Sequence, residues 1–399
     1  MDKSKIFAKI DQLFAEMVEL RRDLHMYPEL SFQEERTAKV IADYQRQLGL
    51  EVRDHVGGRG VVATLRGGKP GKTVAIRADF DALPIQEEND VPYKSKNSGV
   101  MHACGHDAHT AIALGISKAF AAYQDQLCGT IVFIHQHAEE QDPGGAKPMV
   151  EDGALTGVDA IFATHMENYL PVGHVWHNDQ VILGASDDFE LTIKGVGGHG
   201  AFPHDTTDVI QIGAQLVSSL HQVVSRKVDP LKPAVLTIGA FQAGETANVI
   251  PGSARIEGTV RTFDEDVRYQ IADWIKQITK HTVAAFGADF DLDYKFGYPA
   301  LKNDRALNQL LVKAAADVLP EQNIHVMEPN MGAEDFSYFT GAIPGTYFFT
   351  GSANKEKGFT YPYHHPKFDI DETALRNGAK VLASAALDFL AERSDEQKV

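Results

Sequence analysis

The runs TVAIRAD (73–79), TIVFIHQ (130–136) and AIFATH (160–165), with a helical pattern over about 108–123 between the first two, decide the fold. Each is short, nearly continuous in apolar residues and rich in Val, Ile or Phe, as a strand covered on both faces must be. GVVATL (60–65) precedes them as another strand. Strand, helix and strand in this rhythm predict an α/β domain whose mostly parallel mixed sheet is covered by helices. Working outward, Ile10, Leu13, Phe14, Met17, Leu20 and Leu24 recur at three-and-four spacing and predict an amphipathic helix over 4–24. A second helix is predicted from Glu34 to about Leu48, stopped by Gly49.

From about Asp187 to Tyr298 the rhythm changes to strand (DFELTIKG), helix, two strands (AVLTIGAFQAG and SARIEGTVRTF), helix and strand, the order of a ferredoxin-like α+β unit. The α/β pattern then resumes with a helix from about Arg305, a strand at GTYFFTG (345–351) and a final helix over about 372–392. The predicted organisation is therefore one domain built from 1–186 and 299–399, with 187–298 inserted into it.

At 399 residues, two domains are the natural expectation. The net charge of −17, with no basic run, argues against nucleic acid or an anionic membrane surface as partner. MDKSKIFAKIDQLFAEM places charges where a signal peptide needs its apolar region, and no stretch has the apolar length of a membrane span, so a cytoplasmic protein is expected. The two cysteines, Cys104 and Cys128, exclude a disulfide framework.

Chemistry concentrates in MHACGHDAHTA (101–111), where Cys104 and His106 stand just before a helix. A thiolate and an imidazole two residues apart on extended chain face the same side, which suits a metal ion. The helix N-terminus is expected to favour the thiolate. HAEE (137–140) follows a strand with two adjacent carboxylates, Glu139 and Glu140. Neighbours on a regular strand point opposite ways, so both serve one site only if the chain turns, and Pro143 with the glycines beyond it predicts a turn. One carboxylate would bind metal and the other move protons. His165 ends AIFATH, and His364 and His365 open HHPKFDIDE. Asp79, Glu139, Glu140 and His165 all fall just past strand carboxyl ends, the edge where ligands bind in open parallel sheets.

RRDLHMYPELSFQEE, RADFDALP, MHACGHDAHTA, HAEE, GVGGHGAFPH, NVIPG, GTVRTF, GAEDF and HHPKFDIDE, in this order, resemble the M20 metallopeptidases, in particular their aminoacylase, hippurate hydrolase and auxin-conjugate hydrolase branch. The resemblance implies a zinc-peptidase-like catalytic domain over 1–186 and 299–399, and a lid or dimerisation domain over 187–298 that pairs two chains into a homodimer. It implies that Cys104 bridges two divalent ions, zinc or manganese, that His106 and Glu140 complete one and that His165 and His364 complete the other. Glu139 becomes the general base. His364 is preferred to His365 because the family residue lies two positions before the proline. Wider relatives carry histidine where this chain has Arg77, which makes Asp79 a supporting residue beside the metals. His137 stands where relatives usually have proline. In the inserted unit His199 matches a residue that supports the developing oxyanion, and Asn248 and Arg261 match positions that hold a substrate carboxylate.

The activity implied is hydrolysis of N-acyl amino acids, small molecules with an N-acetyl, N-benzoyl or similar group. The alternatives are a dipeptidase or carboxypeptidase acting on free peptides, and a metal-binding homologue without activity. No GxGxxG follows the first strand, which argues against a nicotinamide dehydrogenase.

Overall fold

A computed structural model describes residues 1–392, so positions 393–399 of the part predicted over 299–399 lie outside the described residues. The chain divides into two compact units: Met1–Ile182 with Lys302–Glu328 and Asp335–Val399, and Leu183–Leu301 with Pro329–Glu334. The short segment Pro329–Glu334 goes with the smaller unit, whereas the sequence reading gives it to the larger.

In the larger unit an eight-stranded mixed sheet has four parallel strands at its centre, in the order Cys128–Gln136, Lys69–Asp79, Ala160–Pro171 and Gly345–Ala353. Gly60–Arg66 and then Glu51–Val56 add antiparallel on one side. Val175–His177 adds antiparallel on the other, with Ile324–Val326 parallel to it at the edge. The expected mostly parallel, helix-covered sheet is thus the observed one.

The apolar stripe of the helix Lys3–Met26 (Ile6, Ile10, Leu13 and Met17) is buried in one core with Ile112, Ile116 and Phe120 of His106–Ala121, with Leu375 and Leu382 of Thr373–Ala391, and with Val74, Ile76, Ile131, Phe133 and Phe162 of the sheet. Each fully buried side chain of this size contributes about 1.5–3 kcal/mol. Gly115 lets two of these helices approach, since a Cβ there would stand 2.7 Å from Met17 Sδ. Asp2 starts the first helix by accepting from the Ser4 N–H. Among the described residues no helix is long and apolar enough to cross a membrane.

The smaller unit runs strand Ala185–Lys194, helix Val209–Leu220, strands Ala234–Ala243 and Ser253–Thr262, helix Glu265–Ala285 and strand Asp289–Phe296. Its antiparallel sheet places them in the order second, third, first, fourth, the ferredoxin-like arrangement. Phe189, Leu191 and Ile193 alternate onto the face covered by Ile212, Leu216, Ile271 and Ile275. Arg268 and Asp187 form a buried ion pair beneath them, which Tyr294 joins through its hydroxyl.

Candidate metal centre

Asp79 and Gln136 end adjacent parallel strands in register. The strand Ala160–Pro171 runs on past its last partner in Lys69–Asp79, the pair Arg77–Ala163, because it stays paired with Gly345–Ala353. His165 therefore sits within a strand, opposite Phe349, and not at a strand end as its sequence suggests. It still lies beyond the end of the neighbouring ladder, at the same sheet edge as Asp79.

Gly105, at φ +91°, turns the chain from Cys104 into the helix His106–Ala121. A Cβ at Gly105 would stand 3.0 Å from Met166 Cβ, so glycine also permits the loop to close on the strand carrying His165. Cys104 Sγ lies 3.2 Å from His165 Nε2. The other nitrogen of His165 donates to the Met166 carbonyl (2.7 Å), which leaves Nε2 as a lone pair facing the sulfur. His106 is fixed in the same way: Nδ1 meets only acceptors, Asp81 O at 3.0 Å and Asp81 Oδ1 at 3.1 Å, so Nδ1 carries the proton. Its Nε2 is buried and without a hydrogen-bond partner among the described residues. That atom lies 3.8 Å from Asp79 Oδ2 and 3.9 Å from Glu140 Oε1. Glu140 Oε1 is 3.2 Å from His364 Nε2, yet among the described residues it takes part in no hydrogen bond.

Both Glu139 and Glu140 reach this place because the chain turns at Ala138, at φ +52°. The turn comes before Pro143 and the glycines that suggested it, at a residue whose Cβ disfavours that conformation. His364 is left-handed as well (φ +65°), with its N–H on the Ala103 carbonyl at 2.7 Å. His365 instead stacks on Tyr361 and accepts from the Lys367 N–H. His137 is buried, with its ring edge-on to Phe32.

Among the groups whose donor atoms lie within 4.8 Å of one another, four overlap through Cys104 and His106: Cys104, His106 and His165; Cys104, Glu140 and His364; His106, Glu139 and Glu140; and Asp79, His106 and His109. The one sulfur, three imidazoles and two carboxylates of the first three groups, gathered at this edge with His106 Nε2 and Glu140 Oε1 left without a hydrogen bond among the described residues, fit divalent cations of borderline softness.

The electrostatics point the same way. Burial pushes the Cys104 thiol well up, and the nearby Glu140 and Glu139 charges push it further. A bound cation supplies the missing positive charge. Burial alone would lower His106, but Asp79, Asp81 and Glu140 outweigh it and raise the imidazole to about 10. Burial holds His165 well below the usual histidine range, helped by His109 and His106.

Asp79 is fully buried. Its carboxylate receives Arg77 Nη1 and His109 Nδ1, each at 2.6 Å. Arg77, His106 and His109 together overcome burial and keep it ionised. Arg77 also reaches Gln136 (2.8 Å) and Asp335 (3.2 Å). Sequence reasoning missed His109 and Asp81. His109 Nε2 accepts the Met166 N–H at 2.8 Å, which braces the strand beside His165. Asp81 holds His106 through Oδ1 and, through Oδ2, takes the Glu140 N–H (3.0 Å) and the Ser31 hydroxyl (2.7 Å). Helical spacing from His106 to His109, and the alternation from Asp79 to Asp81, are the signals that find them.

His199, Asn248 and Arg261 belong to the smaller unit. His199 is exposed, on a two-residue strand paired with Val249, and the Asn248 carbonyl accepts the Gly200 N–H beside it. Arg261 lies in Ser253–Thr262, one of the two inner strands of its sheet, and makes no ion pair among the described residues.

The sequence profile of peptidase family M20/M25/M40 matches residues 75–388. An N-acyl-L-amino acid amidohydrolase of Geobacillus stearothermophilus is 46% identical over 76% of this chain and 82% of its own length. Thermostable carboxypeptidase 1 of Saccharolobus solfataricus is 40% identical over 94% and 95%. The crystal structure of a Bacillus subtilis protein, described as a dinuclear metal binding peptidase from the M20 family, superposes with a TM-score of 0.82 at 35% identity, covering 95% of this chain and 99% of that one. The motif resemblance is borne out: the chain belongs to peptidase family M20/M25/M40.

Proposed function

We propose that this protein is a two-metal amidohydrolase that removes the acyl group from N-acyl amino acids. The observation that carries the reading is the convergence of Cys104, His106, Glu139, Glu140, His165 and His364 on one sheet edge. Cys104 would bridge two ions, with His106 and Glu140 on one and His165 and His364 on the other. When bound, zinc or manganese supplies Lewis acidity that acidifies water and polarises an amide carbonyl.

The chain's own residues do the rest. Glu139, within the cluster and not among the five ligands assigned above, takes the proton of the attacking water and returns it to the departing amine. Asp81 and the Met166 carbonyl hold the outer nitrogens of His106 and His165, so both rings turn Nε2 inward. Asp79, gripped by Arg77 and His109, keeps a negative charge beside the cluster. Oxyanion support by His199, and carboxylate binding by Asn248 and Arg261, are carried over from the resemblance. A homodimer through 187–298 and a cytoplasmic location belong to the same proposal, to be read by light scattering and by fractionation.

The identity to a carboxypeptidase favours one second reading, cleavage of free peptides. Retention of Glu139 speaks against an inactive binder, which needs no proton shuttle. The test is a panel of N-acetyl and N-benzoyl amino acids against dipeptides, with chelator-stripped protein resupplied with zinc, manganese or cobalt. Metal-dependent release of free amino acid from the acyl compounds is expected. Hydrolysis confined to dipeptides would move the assignment to the second reading.

A further inference from the structure

The segment PELSFQEE (28–35) carries polar side chains that the mechanism above does not use. Glu29 caps the helix Arg36–Gln47: Oε1 accepts from the N–H groups of Glu35 and Arg36, and Oε2 accepts from Thr37. Ser31 donates to Asp81. Glu34 does something different. It is fully buried and reaches across to the strand end, where Oε1 accepts the Ala138 N–H at 2.8 Å.

That N–H belongs to the residue whose left-handed backbone brings Glu139 and Glu140 round together. A non-glycine residue stays in that conformation only when its surroundings enforce it. Backbone groups around the turn are held one by one: the Ala138 carbonyl by the Gly145 N–H, the Glu140 N–H by Asp81 and the Ala146 N–H by Asp335. Glu34 supplies the acceptor at the start. Its own segment is anchored by the Leu30–Ala82 bridge and by Arg59, which donates to the Phe32 carbonyl, so the acceptor is presented from a fixed platform.

We propose that Glu34 is a positioning residue for the pair Glu139 and Glu140, acting through the Ala138 N–H that it holds in the turn. The inference rests on the metal-centre reading above. Burial, and then the Asp81 charge, push the Glu34 carboxyl up to about 8. The Ala138 N–H needs only one acceptor oxygen, which an amide also supplies.

Full-length Glu34→Gln, Glu34→Asp and Glu34→Ala are compared with wild type by chelator competition for zinc and for manganese, by kcat and KM, and by the unfolding midpoint. Gln keeps an oxygen in place, so E34Q is expected to match wild type within about twofold in metal affinity and kcat. Asp withdraws the oxygen by one methylene and Ala deletes it. Both are expected to weaken metal binding about tenfold and to lower kcat by about 10²-fold, with KM little changed, as a misplaced carboxylate requires. Wild-type metal affinity and kcat in E34D and E34A would overturn the role, as would an E34Q as impaired as E34A. If E34A does not fold, E34D against E34Q decides. A wild-type protein that binds neither ion overturns the metal-centre reading itself, whereas ion binding that is insensitive to E34D overturns Glu34 alone.

Discussion

Replacing Asp81 should loosen the proposed metal centre without removing a ligand. Both carboxylate oxygens are acceptors: Oδ1 faces the His106 Nδ1–H, and Oδ2 takes the Glu140 N–H and the Ser31 hydroxyl. An asparagine has only one acceptor oxygen. If that oxygen serves Glu140 and Ser31, an NH2 group faces an imidazole N–H that can only donate; the opposite orientation sets NH2 against the Glu140 N–H. Outer groups of this kind are worth about 10–100-fold in metal affinity. With tenfold equal to about 1.4 kcal/mol, the expected loss is about 1.4–2.8 kcal/mol. Asp81→Asn, which leaves the Asp81 backbone carbonyl on His106, belongs at the low end. Asp81→Ala belongs at the high end and also strands the Glu140 N–H, a part-buried donor whose lost partner costs about 1 kcal/mol of fold stability. Titration of the metal-loaded proteins against chelators of graded strength measures the first quantity, and urea unfolding the second. Wild-type metal affinity in both variants would refute the argument that Asp81 orients His106 and Glu140.

Glu139→Gln should lower kcat by about 10²–10⁴-fold while the protein still binds its metal, measured by elemental analysis beside the assay; a variant that keeps most of its rate removes Glu139 from proton transfer. Arg21→Met should destabilise the larger unit by about 3–5 kcal/mol, because Arg21 is fully buried between Asp107 and Asp369, each at 2.8 Å, and their carboxylates would stay behind. Burial would raise Asp107, but Arg21 and His25 overcome this and hold it far below its ordinary 3.8; the wild-type advantage is therefore complete above pH 4 and shrinks as acid protonates the carboxylate, so equal unfolding curves at pH 7 would refute it. Metal binding at pH 7 should release protons, since Cys104 and His106 both hold theirs in the free protein; affinity then rises with pH through about 10, the value of His106, and goes on rising as the Cys104 thiol, held well above its ordinary 9.0, ionises. Calorimetry in two buffers of different ionisation enthalpy counts those protons, and a count of zero would contradict the assigned ligands.

The architecture was legible because its cues are periodic. Apolar runs such as TIVFIHQ announce buried strands whatever their neighbours, and the order of elements over 187–298 sufficed for the ferredoxin-like unit. Errors arose where pairing with a distant segment sets a boundary. The strand carrying His165 looks finished at AIFATH, yet it continues to Pro171 because Gly345–Ala353, far along the chain, offers it hydrogen-bond partners. Pro329–Glu334 is a similar case, since its attachment to the smaller unit includes a bridge from Asn330 to Leu183 that no local pattern announces.

Within the site, legibility followed chemical type. Cys104, His106 and the Glu pair could be singled out because thiols, imidazoles and adjacent carboxylates are rare and crowd into short motifs. Asp81, His109 and Glu34 were passed over because each acts through another group, and such a role exists only once the fold has placed the partner. The turn at Ala138 shows the difference most sharply: alanine carries no turn signal, and its left-handed backbone follows from acceptors at Glu34 and Asp81 that lie about a hundred and about sixty residues earlier. Glycine at that position would make the turn readable from sequence and leave it free to open. Alanine makes the arrangement of Glu139 and Glu140 depend on those buried carboxyls, so the centre is coupled to the packing of the N-terminal segment. Changes in PELSFQEE should then alter metal affinity although none of its residues is placed among the metal ligands.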